Sequence, residues 1–544
     1  MPDDAALADR ARDLALTLTS WPSVTGTADE AGFAGRLAGL VGAHPYFRDN
    51  PGDLIRLPVP GGPYGRENVV AVVRGRGRRA VLLAGHYDVV PVDDYGPLKD
   101  LAWHPERLRQ GIVARLEAGG GHELALDDLR SGGFLPGRGL LDMKSGLAAG
   151  LAVLEAHAAD PECLGSLVFL ATPDEEDRSA GMRAAAEALP GLLAGRGLEV
   201  ALGINLDAVS DQGDGASGRV VALGCIGKLL LSVLVVGVEA HACYPLDGVN
   251  AAHLAAELLA EVEFAPELGE EADGEAAVPP TALGARDLKT LYNVTTPGRA
   301  WLIWNVLTKA RPASEVLAVA AGLALRATER ARARIAERAA RLQNPPPLTG
   351  AWARFGTWRF EEVRARARAA DPGFDARFEA LAADLAGQAD LDLPTRCRTL
   401  TEAAWDASGL EGPAVVLGFA SMPYPAVRLA GGDGLEARIR RATAEVAAAT
   451  GTDIGVVRQL PVIVDMSFLG PIDAADLTAA AANTPVWGSS IDWDPARPGP
   501  GWPMVNVGPW GRDYHHWLER VHVPYAFGVL PRLVRAVALA ALEG

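Results

Sequence analysis

Five short motifs between residues 85 and 519 set acidic and imidazole side chains where apolar strand-like runs end or a helix begins. Gly85-His86-Tyr87-Asp88 follows AVLLA, Asp174-Glu175-Glu176 follows SLVFLATP, and Asp207 follows ALGINL. Asp142 closes GRGLLD just ahead of a helical pattern, and His515-His516 precede Glu519 near the end of the chain. In an open α/β sheet the side chains that do chemistry collect beyond the carboxyl ends of the strands. These motifs therefore constrain the chain to a sheet whose strand ends converge, and the convergence weighs more than any motif alone.

At 544 residues the chain exceeds one ordinary compact core, so two domains are expected. Helical spacing from about residue 4 to 45 is broken by SWPSVTG, after which NVVAVVRG and RAVLLAG read as adjacent strands. Helices at SGLAAGLAVLEAHAA and RSAGMRAAAEALPGLL then alternate with strands at SLVFLAT and ALGINL. Such alternation implies an α/β fold, a mixed and mainly parallel sheet flanked by helices. GRVVAL and KLLLSVLVVGV read as paired β runs opening a second domain. A helix from about Asn250 to Glu261, strands at TLYNVTT, RAWLIWNVL and PAVVLGFA, and a helix from about Ala313 complete a βαββαβ-like lid. Residues 335–410, rich in Arg, Ala and Glu, read as a helical insertion within it. The alternation resumes with a helix at GLEARIRRATAEVAAAT, strands at PVIVDMS and MVNVGP, and a terminal helix. The expected partition is a catalytic domain of residues 1–218 and 425–544 with residues 219–424 inserted into it.

Hydrophobic residues make up 49% of the chain and charged ones 22%, as in globular proteins. A net charge of -17 opposes binding to nucleic acid. The longest apolar stretch, LLLSVLVVGV, is about half the length of a membrane span and rich in β-branched residues, so it reads as a buried strand. The opening residues are acidic and amphipathic where an export signal needs a basic stretch and an apolar core. Cys163, Cys225, Cys243 and Cys397 show no CxxC spacing, which suits the reducing cytoplasm.

His86 and Asp88 are two apart, so in extended chain they project to one side and the carboxylate can orient the imidazole. Adjacent Glu175 and Glu176 point in divergent directions, so one can bind a metal while the other faces a substrate. Each motif alone has an ordinary alternative: a helix cap for Asp142, an acidic first turn for the glutamates, a strand terminator for Asp207. Together they supply mixed imidazole and carboxylate donors for two divalent metal ions, zinc first, with cobalt or manganese as substitutes. Such a pair, bridged by a carboxylate, lowers the pKa of a shared water and polarises a carbonyl.

GHYDVVP, GRGLLDMKSGLAAG, TPDEEDRSAGM, Asp207 and GPWGRDYHHWLERV resemble the metal-dependent M20 peptidase and deacylase family over nearly the whole chain. Aminoacylases, carboxypeptidase G2-like enzymes and succinyl-diaminopimelate desuccinylase belong to that family. PYFRDNP, DYGPLKDLAWHPE and the large insertion resemble its arginine-utilisation, RocB-like branch. The resemblance implies that His86 and Asp207 bind one metal, that Glu176 and His515 bind the other, and that Asp142 bridges them. It makes Asp88 the residue that orients His86, Glu175 the general base, and the Asp142–Met143 peptide cis. His515 is preferred to His516 because the family places this His four residues before a Glu, here Glu519. In the lid, VVGVEAHACYPLDGVNAA resembles a family motif in which His241 would stabilise the oxyanion and Asn250 would contact substrate. Many members carry Asp-x-Arg in the lid strand before its second helix, and the Arg binds a substrate carboxylate. Here Asn305 and Leu307 stand at those places, with Lys309 and Arg311 out of register, so a substrate unlike that of a standard carboxypeptidase is expected.

The function so implied is a cytoplasmic dinuclear metallohydrolase that cleaves an amide bond of a small peptide or N-acyl amino acid in amino-acid or arginine catabolism. A phosphoesterase also uses paired metals, but neither a basic cluster nor a Gly-rich phosphate loop accompanies these ligands. An inactive metal- or small-molecule-binding protein of the same architecture would have no need of Glu175. The partner expected is a small molecule, with neither nucleic acid nor membrane, and the chain is expected as a monomer or as a homodimer through its lid.

Overall fold

The computed structural model describes residues 4–62, 64–160, 162–272, 274–343, 347–430 and 434–543. The chain forms two compact units, one of Met1–Cys225, Val427–Pro471 and Gly499–Gly544, the other of Ile226–Ala426 and Ile472–Pro498. Ile472–Pro498, expected with the catalytic segment, groups instead with the second unit. Ala480 of its helix Ala474–Ala482 joins that unit's apolar core, and Asp476 accepts from Ala313 N at 2.6 Å.

Eight strands form the sheet of the first unit: β1 (Leu54–Pro58), β2 (Glu67–Val73), β3 (Arg76–His86), β4 (Leu164–Thr172), β5 (Glu199–Asn205), β6 (Val220–Ala222), β7 (Gly455–Val457) and β8 (Met504–Val507). Their spatial order is β1-β2-β4-β3-β5-β8-β6-β7. The four inner strands β4, β3, β5 and β8 run parallel, while β1 and β2 lie antiparallel on one flank and β6 pairs antiparallel with β8 on the other. This is the expected mixed sheet. Strands covered on both faces read as continuous apolar runs, and Val81, Leu82, Leu83 and Ala84 of β3 are all fully buried. Val81 and Leu83 share one core with Leu14, Leu151 and Leu533 from helices α1 (Asp4–Thr19), α2 (Ser145–Ala158) and α3 (Leu530–Leu542). Among the described residues one helical stretch, Pro524–Leu542, is long and apolar enough to cross a membrane, and it lies mostly buried in this core.

Four strand expectations are corrected. NVVAVVRG and RAVLLAG are not neighbours, because β4, apolar along its length, is paired on both sides and separates β2 from β3. GRVVAL and KLLLSVLVVGV do not pair, since Val220–Ala222 belongs to this sheet and Gly227–Val236 to that of the second unit. TLYNVTT is not a strand: it has no buried alternate face, with Leu291 76% and Tyr292 92% exposed. PVIVDMS ends in a buried 3-10 turn, Asp465–Phe468.

The second unit has a five-stranded sheet in the order Thr281–Asp287, Arg299–Thr308, Gly227–Val236, Ala414–Phe419, Gly356–Arg359, with helices Ala251–Val262 and Ala313–Ala339. Residues 335–410 are largely helical, in Phe360–Ala370, Phe374–Gly387 and Leu393–Ala407. They also contribute the edge strand Gly356–Arg359, parallel to Ala414–Phe419. The opposite edge strand, Thr281–Asp287, is paired on one side only among the described residues.

One glycine sets how closely α2 approaches the sheet. A Cβ on Gly146 would lie 2.0 Å from the backbone oxygen of Leu206, just past β5. Gly39, on an exposed face of helix Ala28–Gly42, has nothing within 4 Å of such a Cβ. Gly146→Ala is therefore expected to destabilise by about 1–3 kcal/mol through overpacking. Gly39→Ala should stabilise by roughly 0.5–1 kcal/mol through helix propensity. Thermal midpoints of the two variants should move in opposite directions, and a Gly146→Ala midpoint at or above wild type would contradict the close approach.

Candidate metal centre

The register of the parallel strands brings the motifs to one place. His86, the last residue of β3, is opposite Thr172 of β4, and Ala84 is opposite Asn205 of β5. Residues just beyond β4 and β5, namely Glu175, Glu176 and Asp207, therefore emerge beside His86.

Two imidazoles meet on one carboxylate. Asp142 Oδ1 lies 3.2 Å from His86 Nε2, and Asp142 Oδ2 lies 3.2 Å from His515 Nε2. Glu176 Oε2 is 3.1 Å from His515 Nε2, while Asp207 Oδ1 and Glu175 Oε2 are each 3.9 Å from His86 Nε2. The donor atoms of His86, Asp142 and Asp207 lie within 4.8 Å of one another, as do those of Asp142, Glu176 and His515 and those of His86, Glu175 and Glu176. His516 joins none of these groups. Its Nδ1 accepts from Leu518 N at 3.3 Å, and its ring lies beside His122 and Trp517.

Backbone hydrogen bonds hold these donors in place. His86 Nδ1 donates to the carbonyl of Asp88 at 3.0 Å, which leaves Nε2 facing the carboxylates as the nitrogen a metal would take. Asp88 meets the His86 ring through its main-chain carbonyl, its carboxylate Oδ1 lies 3.6 Å from the same Nδ1, and that carboxylate also binds the next turn. Oδ1 accepts from Glu175 N at 3.1 Å, and Oδ2 accepts from Glu176 N at 3.2 Å and from Thr25 Oγ1 at 2.8 Å. One buried acid therefore fixes both glutamates. Glu519 Oε1 accepts from Leu141 N at 3.2 Å and Asp142 N at 3.4 Å, and its Oε2 accepts from Arg138 at 2.8 Å. The Asp142–Met143 peptide is cis.

Burial would lower the His86 imidazole, but Glu175, Asp142, Asp88 and Asp207 outweigh it and hold it well above its ordinary value. His515 behaves alike: Asp142 and Glu176 override burial and raise it to about 10. Burial, reinforced by Asp142, pushes Asp207 up to about 8. The same cause, with Asp465 and Asp207 adding to it, lifts Glu175 well above the carboxylate range against the pull of His86. Carboxylates crowded this way around two imidazoles make a donor set that fits two divalent cations, whose charge would displace the imidazole protons and let the carboxylates ionise together.

Sequence reasoning missed Asp465, 2% exposed in the turn after PVIV and a direct electrostatic neighbour of Glu175 and Asp207. The rule that exposed the others, an acid after an apolar run, applies to it equally. It also missed the buried support of the 174–176 turn. Asp174, at φ 70°, accepts from Arg66 on one oxygen and from Ala180 N at 3.0 Å on the other, and donates its N–H to Glu30 at 3.0 Å. Charged residues far apart in sequence carry no local signal of such a network.

Residues 82–475 match the family described as Peptidase family M20/M25/M40. The chain belongs to that family. It is 30% identical to Protein RocB of Bacillus subtilis over 98% of this chain and 95% of that one. It is 32% identical to succinyl-diaminopimelate desuccinylase of Xanthomonas campestris, over 43% of this chain and 54% of the relative. Its fold is that of aminopeptidase PepT from Bacillus cereus, with a TM-score of 0.51 at 14% identity over 98% of both chains. As a member of M20 the chain is a metal-dependent hydrolase of C–N bonds, and the cluster at the strand ends is its candidate dinuclear centre.

His241 and Asn250 lie in the second unit. His241 forms a β-bridge with Thr295, and its Nδ1 accepts from Cys243 N at 3.1 Å. Asn250 caps helix Ala251–Val262, its side chain accepting from Ala252 N at 3.0 Å. The Arg311 guanidinium donates to Glu267 O at 2.7 Å and pairs with Glu315 at 3.2 Å.

If Asp142 serves both halves of the centre, Asp142→Ala should lose both metal equivalents, whereas His515→Ala and Asp207→Ala should each lose one. Elemental analysis after gel filtration checks this, and an Asp142→Ala protein that keeps a full equivalent would show the halves to be independent.

Proposed function

We propose that this M20 hydrolase cleaves the amide bond of a small peptide or N-acyl amino acid, with two zinc ions held by His86 and Asp207, by Glu176 and His515, and by Asp142 between them. The observation that carries this reading is the division of Asp142, one oxygen to each imidazole at 3.2 Å. When bound, the ions would acidify a water and polarise the scissile carbonyl. Glu175 is the base: its carboxylate takes a proton from the attacking water and returns it to the amine nitrogen as the C–N bond breaks. Asp88 keeps it in reach by accepting its backbone N–H at 3.1 Å. His241 is assigned the donor to the developing oxyanion, and the Cys243 N–H on its Nδ1 supports that, because the neutral ring then carries its proton on Nε2. Asn250 is assigned a substrate contact.

Asn305 and Leu307, in place of an Asp-x-Arg pair, favour a substrate that is not held by its free carboxylate, and the likeness to RocB favours amino-acid or arginine catabolism. Four free cysteines, one of them exposed, suit the cytoplasm. The quaternary state is a monomer or a homodimer through the Thr281–Asp287 edge, which light scattering distinguishes.

The test is an amine-release screen over N-acyl amino acids and dipeptides, with arginine and ornithine derivatives included, on wild type and Glu175→Gln. Wild type should hydrolyse at least one class in a chelator-sensitive way. Glu175→Gln should lose turnover by at least a hundredfold with its metal content near wild type. Undiminished hydrolysis by that variant would remove Glu175 from the role of base.

A further inference from the structure

The two histidines of the centre are carried differently. His86 ends an eleven-residue strand at the middle of the sheet. His515 sits in the loop of a hairpin formed by Trp510–Arg512 and Arg520–His522, with His515 itself at φ 61° and Asp513 at φ 55°. Non-glycine residues in the left-handed region persist only where surrounding structure over-determines them. The hairpin carries a second difficulty. Arg512 and Arg520 are direct cross-strand partners, and both are buried, 6% and 0% exposed. Like charges directly opposite one another drive strands apart, and their burial removes the screening that would soften this.

One carboxylate spans both arginines. Asp128, 9% exposed on helix Glu123–Ser131, accepts on its Oδ2 from Arg512 Nη1 at 2.5 Å and from Arg520 Nε at 2.8 Å. Arg520 then donates through Nη1 to Asp513 Oδ2 at 2.5 Å, and Gln212 holds Asp513 Oδ1 at 2.9 Å. The anchor grips the chain three residues before His515 and five after it. The segment that supplies Asp128 is built onto this hairpin by apolar contacts as well. Leu518 is buried in a small core with Leu108, Ile112, Leu116 and Leu129, and the Arg115 guanidinium lies 4.3 Å over the Trp517 ring.

We propose that Asp128 is a positioning residue for His515: it bridges the opposed Arg512 and Arg520 guanidiniums, shares the balancing of their charge with Asp513, and so holds His515 where it can act as a metal ligand. This rests on the assignment of His515 as a ligand under the proposed function. Removing an outer partner of a ligand typically costs 10–100-fold in metal affinity, and the loss here should fall on one ion.

The experiment is calorimetric titration of the metal-free full-length chain with Zn(II), and with Co(II) followed by visible absorption, for wild type, Asp128→Asn, Asp128→Glu and His515→Ala. Asp128→Asn should bind one equivalent with wild-type affinity and the other about 10–100-fold more weakly, with the Co(II) spectrum of that equivalent altered. Asp128→Glu, which keeps the charge, should recover part of the loss. Two unchanged equivalents in Asp128→Asn, or an equal weakening of both, would overturn the positioning role. His515→Ala separates the two readings. Loss of one equivalent there, with Asp128→Asn unaltered, sinks only the role of Asp128. Two intact equivalents in His515→Ala sink the ligand assignment and this inference with it. Should Asp128→Asn not fold, Asp128→Glu, which keeps the charge but lengthens the arm that grips both guanidiniums, takes its place. Its second equivalent should be several-fold weaker than its first relative to wild type, and unchanged affinity for both ions would overturn the proposal.

Discussion

Because both oxygens of Asp142 are engaged by imidazoles from opposite ends of the chain, 3.2 Å on each side, any displacement of the turn that carries it moves both halves of the centre together. That turn is accordingly fixed on every side. Glu519 binds the N–H groups of Leu141 and Asp142, Lys144 reaches the carbonyl of Trp21 at 2.8 Å, and Gly146 lets α2 close on the backbone past β5. Glu519 lies on the hairpin of His515, so the turn and the second histidine share an anchor as well as a contact. A strand-end site held this way gains its geometry from the sheet register and its precision from buried hydrogen bonds to main chain.

The inner sheet was legible because its strands are buried on both faces and read as unbroken apolar runs, and the candidate ligands stood out because each follows such a run or opens a helix. Strand neighbours were not. Sequence proximity suggested that β2 and β3 pair, whereas the parallel core admits β4 between them, a choice made by packing over a distance that local pattern does not encode. TLYNVTT has the composition of a strand but no face to bury. The traffic of Ile472–Pro498 back into the second unit was equally invisible, since its helix is Ala-rich and carries no mark of the core it joins.

Of the candidate site itself, the side chains that cluster were readable and the hydrogen bonds among them were not. The spacing of His86 and Asp88 suggested a carboxylate–imidazole contact. In the fold the carbonyl of Asp88 accepts from the imidazole at 3.0 Å while the carboxylate, 3.6 Å from the same nitrogen, also accepts from the N–H groups of Glu175 and Glu176. Glu519 entered the sequence argument only as a spacing marker for His515, yet it binds the Asp142 turn directly. Asp465 shows the converse: its motif obeyed the rule that found the ligands, but PVIVDMS read as one more strand and its acid went unweighed.

The two histidines also differ in how much of their surroundings is protein. The His86 side chain is 2% exposed and that of His515 is 45% exposed. A buried ligand on a central strand inherits the rigidity of the sheet, because moving it would break the pairing on both sides. A half-exposed ligand on a hairpin with left-handed residues inherits nothing comparable and must be held by contacts that reach it from outside the sheet. This accounts for the position of the residues between β3 and β4 in this chain. The helices Pro105–Gly119 and Glu123–Ser131 add little to the main apolar core, and their own small core includes Leu518. Their packing on the hairpin, through Leu518 and Trp517, braces the loop that carries the candidate ligand His515 from outside the sheet.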